Sequence, residues 1–180
     1  VMKKIKYLLI YVLAGCFIFS NSAYANNGLE IKQKTEKSFI TRDSILLPNT
    51  TISNNYAIVT RGQYIASSGL SISNEGYGVL GVYADTLAHV PVKKIKMTIY
   101  IDCWDEEDED WYQVSYKALE YEYEEGGNDL TAASEFFNVE NLETNKYYRL
   151  RGLHAVWSFD GYIETHGTMT DGILLTDGPA

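Results

Sequence analysis

From residue 56 onward the chain alternates apolar and polar positions with a period of two, and turn-forming residues interrupt the pattern at short intervals. Such alternation is the mark of half-buried strands joined by tight turns, so an all-β sandwich of about seven strands is expected. The first strand spans 63–73, with Leu70 and Ile72 alternating against Ser71 and Ser73, and stops at the glycine turn Asn74-Glu75-Gly76-Tyr77-Gly78. The second, 79–87, puts Leu80, Val82 and Ala84 on one face. The third, 93–104, sends Ile95, Met97, Ile99, Ile101 and Cys103 inward and Lys96, Thr98, Tyr100 and Asp102 outward. A charged connection over 105–110 leads to a fourth strand, 111–124, whose apolar phase slips near Ala118-Leu119 and predicts a bulge there. Segment 130–139 is read as a strand, although Ala132-Ala133-Ser134-Glu135 would tolerate a helix. Segments 146–157 and 162–175 close the domain as a hairpin about Asp160-Gly161, a dipeptide suited to the positive φ of tight turns.

Upstream of this region the pattern changes character. Lys3, Lys4 and Lys6 precede an uncharged apolar run over 7–19, and Ala23-Tyr24-Ala25 supplies small residues for cleavage. Residues 1–25 are therefore expected to be a signal peptide, 26–55 a flexible polar arm, and 56–180 the sandwich domain. Leu13-Ala14-Gly15-Cys16 also fits a lipobox, which would make the chain a lipoprotein anchored through Cys16. The apolar Phe17-Ile18-Phe19 beyond that cysteine favours full secretion instead. The run is too short to span a bilayer, which takes about 20 residues.

Charge and cysteine content narrow the partners. The formal net charge is −9, and loss of the three signal lysines makes it more negative still. Nucleic acid and anionic membrane surfaces repel such a chain, so a monomeric protein meeting an extracellular protein or a glycan is expected. Once Cys16 leaves with the signal, Cys103 stands alone in the apolar phase of its strand, which makes it a buried small hydrophobe with no intramolecular disulfide.

Leu142 precedes Tyr148 by six positions, and Leu150 follows in the inward phase. This spacing is similar to the approach to strand F in fibronectin type III and immunoglobulin-like domains, where the tyrosine hydroxyl bonds back to the corner before it. More widely, Arg61-Gly62-Gln63-Tyr64-Ile65, Leu70-Ser71-Ile72-Ser73-Asn74 and Tyr147-Tyr148-Arg149-Leu150-Arg151-Gly152-Leu153-His154, ending at Thr170-Asp171-Gly172-Ile173, resemble a family of small secreted proteins of Gram-positive bacteria. That family is a domain of unknown function, so the resemblance implies export and fold and carries over no catalytic residue. The acidic 105–110 connection departs from its usual short glycine turn.

Three constellations could carry chemistry. Asp102 and the run 105–110 bring seven carboxylates close together in sequence. Oxygen ligands at this density suit a weak Ca²⁺ site built on Asp105, Glu107, Asp108 and Asp110, and no other cofactor is implied. The calcium-loop pattern is not met, because counting from Asp105 the glycine position holds Asp110 and the bidentate glutamate position holds Tyr116. A second reading of the same carboxylates, near Asp102, is an exported carbohydrate-active hydrolase. Next, Tyr100 and Trp104 on the third strand and Tyr147, Arg149, Arg151 and Trp157 on the sixth fall on the outward phase. Aromatic rings interleaved with arginines favour a non-enzymatic binding face, with Trp104 and Trp157 exposed near Arg149 or Arg151. An internal ladder, with the guanidinium groups stacked on the rings, is the competing reading. Last, a two-residue turn at Asp160-Gly161 would set His154 opposite 167 and His166 opposite 155, on opposite faces. With His89 distant in sequence, no shared metal site is expected from these histidines.

Overall fold

The computed structural model describes residues 30–31 and 44–180. The expected signal peptide, Cys16 and the rest of the arm before residue 44 lie outside the described residues. Among those described there is no helix, and two antiparallel-dominated sheets pack face to face over one core. The strands in chain order are β1 Glu30–Ile31, β2 Leu46–Leu47, β3 Ile52–Ile58, β4 Ile65–Gly76, β5 Val79–Ala88, β6 Lys94–Asp105, β7 Asp110–Glu122, β8 Ala132–Val139, β9 Lys146–Trp157, β10 Ile163–Met169 and β11 Gly172–Leu175. A four-stranded sheet runs β3-β4-β5-β8. The seven-stranded sheet runs β1-β7-β6-β9-β11-β2, with β10 also on β9.

The core forms as the alternation dictates. Leu70 and Ile72 of β4, Leu80, Val82 and Ala84 of β5, and Ile95, Met97, Ile99, Ile101 and Cys103 of β6 all lie in one buried cluster. Cys103 is a free, buried thiol, and burial pushes its pKa up. Segment 130–139 is a strand: β8 adds to β5 along its whole length, from Leu80↔Val139 to Leu87↔Ala132. The third and sixth expected strands, β6 and β9, are neighbours from Lys94↔Trp157 to Cys103↔Tyr148. At the corner before β9 the Tyr148 hydroxyl donates to the Glu143 carbonyl at 2.9 Å, and Leu142 packs against the core.

Four details differ from the sequence reading. Residues 44–55, assigned to the arm by their polarity, carry β2 and the first half of β3, whose partners are β11 and β4. The inward side chains of β3 are Ser53, Asn55 and Ala57, so this edge strand shows little apolar alternation. The bulge on β7 falls at Val114, between the pairs Ile101↔Ser115 and Asp102↔Gln113, instead of near Ala118. The closing hairpin turns through five residues, 158–162, because the Ser158 hydroxyl accepts the Tyr162 N–H at 2.9 Å and donates to Asp160. Trp157 thus faces Ile163, and the register moves by one residue. Finally, the expected seventh strand is broken at Thr170-Asp171 into β10 and β11. There the Thr170 hydroxyl accepts the Leu150 N–H at 2.9 Å in place of a ladder carbonyl.

Replacing Tyr148 by Phe is expected to cost about 1–3 kcal/mol, the penalty for leaving the corner carbonyl without its donor. Urea denaturation checks this; an unchanged midpoint would mean that the corner bond contributes nothing.

Candidate functional site

The outward phase of β6 and β9 does bring five of the expected residues together. Register places Tyr100 opposite Arg151, Asp102 opposite Arg149, and Trp104 beside Tyr147, just beyond Cys103↔Tyr148. Trp157 lies apart at the far end, opposite Lys94, whose ammonium sits 5.4 Å from its ring centroid. The arginines were expected to be exposed, and they are not: Arg149 is 2%, Arg151 5% and Asp102 0% exposed. Asp102 Oδ2 accepts from Arg149 Nε at 3.1 Å and Arg151 Nε at 2.6 Å, and its Oδ1 accepts from Arg151 Nη2 at 2.9 Å. Arg151 also donates to Gln113, and Arg149 to the Ser44 hydroxyl.

Aromatic rings cover this ion cluster. The Trp111 ring centroid lies 4.5 Å from the Arg149 guanidinium carbon, and that of Tyr100 4.9 Å from Arg151. Trp104 meets Trp111 edge-on at 5.3 Å, and Tyr100 meets Tyr116. Trp111 reaches across to β11, where a Cβ on Gly172 would stand 2.5 Å from its Cη2, so only a glycine there lets the indole lie flat. Burial pushes the Arg149 pKa down, and the Asp102 carboxylate opposes that shift. Further along the sheet Lys94 and Lys96 pair with Glu120 and Glu122. Trp104 and Trp157 are half-buried on this surface and take no part in the core. On this face the guanidinium groups stack on aromatic rings and are buried beneath them.

The carboxylate readings receive no support from the geometry. Both oxygens of Asp102 are occupied by guanidinium donors, which leaves it poorly placed to move a proton for hydrolysis. Asp105 and Asp110 face each other at the base of the β6–β7 turn, Glu107 and Asp108 project into solvent, and the Glu107 N–H donates to Asp105. Among the described residues no group of three His, Cys, Asp or Glu side chains is arranged to hold a metal ion.

The shifted hairpin register sets His154 directly opposite His166, so the two share a face and point between the sheets. His154 is fully buried. Its Nδ1 meets the Thr86 hydroxyl at 2.8 Å and its Nε2 the Thr168 hydroxyl at 2.8 Å, while His166 Nδ1 meets Ser68 at 2.7 Å. Burial, with His166 adding to it, lowers the His154 pKa to about 4.

The outer face of the four-stranded sheet is the surface that the sequence reading passed over. Cross-strand register arranges it in four rows: Ile52-Ser73-Gly81-Asn138, Asn54-Ser71-Tyr83-Phe136, Tyr56-Gly69-Asp85-Ser134 and Ile58-Ser67-Leu87-Ala132. In these rows every β4 residue is serine or glycine, with Glu75 following beyond Ser73. This strand forms the floor of a trough, walled by Ile52, Tyr56 and Ile58 on β3 and by Tyr83, Leu87 and Phe136 on β5 and β8. These six wall residues are between 42% and 71% exposed. The signal was present in the sequence as Ser67-x-Gly69-x-Ser71-x-Ser73, but small residues carry almost no hydropathy contrast.

Comparison with known proteins adds a family and no activity. Residues 41–172 match the model of a family of unknown function, DUF6147. No curated protein matches the chain.

Two predictions test the buried polar groups. Asp102→Asn removes the counter-charge of two buried guanidinium groups and is expected to cost about 3–5 kcal/mol in denaturant unfolding. For His154, the folded pKa lies below the unfolded value of 6.5, so the fold refuses a proton that the unfolded chain accepts. Stability should be complete above pH 6.5 and decline by about 3 kcal/mol as pH falls to about 4. Denaturation midpoints across that range, compared with those of His154→Gln, isolate the effect.

Proposed function

We propose that this chain, which belongs to the family of unknown function DUF6147, is an exported, non-enzymatic binding module. Its contact surface is the outer face of the four-stranded sheet. The observation that carries this reading is the contrast between the two outer faces. On the seven-stranded sheet the charged and aromatic groups are paired among themselves, whereas on the four-stranded sheet six large apolar or aromatic side chains stand exposed around a serine–glycine floor. Contiguous exposed apolar surface on a rigid sheet is the usual mark of an interaction site. Aromatic anchors flanking a depression are what such sites depend on.

The fold supports the same class of function. The adjacency of β6 and β9 and the corner bond of Tyr148 favour a fibronectin type III-like sandwich, an architecture that presents faces and loops more often than catalytic clefts. Export rests on the signal pattern of residues 1–25, with lipid anchoring through Cys16 as the alternative. No helix among the described residues is long and apolar enough to cross a membrane.

Screening glycans and extracellular proteins for retention on the immobilised chain tests the proposal. Tyr83→Ala and Phe136→Ala should each weaken the retained interaction by at least about tenfold, the loss expected at an aromatic anchor. Both rings are exposed, so the thermal midpoint should barely move. Trp104→Ala should do the reverse, lowering the midpoint and leaving binding intact. The opposite pattern would return the function to the β6–β9 face.

A further inference from the structure

Asp85 lies in the middle of the trough and has no counter-charge. Its row is Tyr56-Gly69-Asp85-Ser134, and its carboxylate leans over β4, where a Cβ on Gly69 would stand 2.1 Å from Oδ1 and 3.3 Å from Tyr56 Cδ2. The carboxylate thus fills the space above Gly69 and lies beside the edge of the Tyr56 ring. Tyr83 and Leu87 follow at the next outward positions of β5. Among the described residues the Asp85 carboxylate makes no hydrogen bond or ion pair, and burial drives its pKa up. None of the outward positions in the four rows is lysine or arginine. Glu75 on the same sheet reaches over Gly81 and accepts from Ser73.

A carboxylate held among aromatic and apolar groups without a partner is a cost to the folded protein until something supplies a positive charge. An aromatic ring beside it adds cation–π attraction for the same kind of group. Resting on the reading of this face as a binding surface, we propose that the trough receives an extended basic segment of a partner protein, with one lysine or arginine side chain seated on the solvent side of Asp85 and Tyr56, capping the carboxylate that covers Gly69. The walls of Ile52, Ile58 and Leu87 would then pack against the aliphatic stem and neighbouring apolar residues of that segment. A second copy of this chain fits less well. Face-to-face pairing about a two-fold axis would bring two unpaired Asp85 carboxylates into one buried patch that holds no basic residue.

The test uses the full chain and short extended peptides, identical except for a central Lys, Arg, Gln or Glu, measured by fluorescence anisotropy. The Lys and Arg peptides should bind at least about tenfold more tightly than the Gln peptide, the difference that one desolvated charge contact with a ring supplies. Asp85→Asn should abolish that preference and raise the thermal midpoint, because it removes the uncompensated charge. Tyr56→Ala, at an exposed position, should weaken the preference without changing the fold. Glu107→Gln, in the acidic turn, should leave it intact. Equal binding of Lys and Gln peptides would overturn the cationic seat while leaving the binding face standing. So would an equal loss in Glu107→Gln, which would reduce the effect to general acidic attraction. Binding of neutral oligosaccharides alone, lost in Tyr83→Ala, would replace the basic segment with a glycan on the same face. Self-association lost in Tyr83→Ala would assign the face to a second copy. Absence of every one of these interactions would overturn both this inference and the binding function it rests on.

Discussion

The antiparallel pairing of β6 with β9 sets the phase of every side chain in the larger sheet. Because Ile101 faces Leu150 and Met97 faces His154, the inward sides of both strands fall into the core together. The same register necessarily puts Asp102 against Arg149 and Tyr100 against Arg151 on the opposite side. A slip of one residue would drive two guanidinium groups into the hydrocarbon interior and expose the apolar phase to water. The buried ion cluster outside the sheet and the apolar core inside it are thus two consequences of one alignment. Trp111 can close over the cluster because Gly172 leaves room for it.

The two outer faces then follow opposite economies of charge. On the larger sheet one carboxylate serves two arginines, two lysines meet two glutamates, and indole and phenol rings cover what remains. On the smaller sheet the residues are fewer in kind and less satisfied: serines and glycines below, bulky apolar groups at the margins, and in the centre Asp85, with no basic residue in its rows. A sheet face that only had to be soluble would carry lysines and glutamates at these positions, as β6 and β7 do with Lys94, Lys96, Glu120 and Glu122. Within the four rows of the smaller sheet no lysine or glutamate stands at these positions, so its outer face is more apolar than that of the larger sheet.

Strands 63–73 through 146–157 and their inward residues were legible in the sequence because period-2 alternation reports directly on which side meets the core. Alternation reports a side and says nothing of depth. Arg149 and Arg151 fall on the outward phase as read, yet they are buried, because Trp111 and Tyr100 come from neighbouring strands whose alignment no local pattern reveals. β3 escaped notice for a different reason: Ser53, Asn55 and Ala57 face inward on an edge strand that needs little apolar surface. The histidine register was lost to a side-chain contact, since Ser158 closes a five-residue turn where Asp160-Gly161 alone would suggest a tighter one. The trough was hidden by its own composition, because a floor of serine and glycine registers as an interruption of a strand and not as a surface.

The pairing of β2 with β11 carries a consequence for how the chain reaches this state. Ser44 donates its hydroxyl to the Thr170 carbonyl across a separation of 126 residues, and Gly172 donates its N–H to Ile45. Contacts so distant in sequence close the largest loops and form at the greatest entropic cost, whereas β4 with β5 and β6 with β7 are joined by short turns. The hairpins can therefore assemble first, and the strip that joins the start of the domain to its end must zip last. Until it does, β11 can already pair with β9, but its outer edge stays open and the Arg149–Ser44 bond cannot exist. Closing this strip should thus add the last polar contact of Arg149 to a charge cluster already formed between β6 and β9, so that a chain stalled in translation before residue 172 would hold its hairpins but not its sealed sheet.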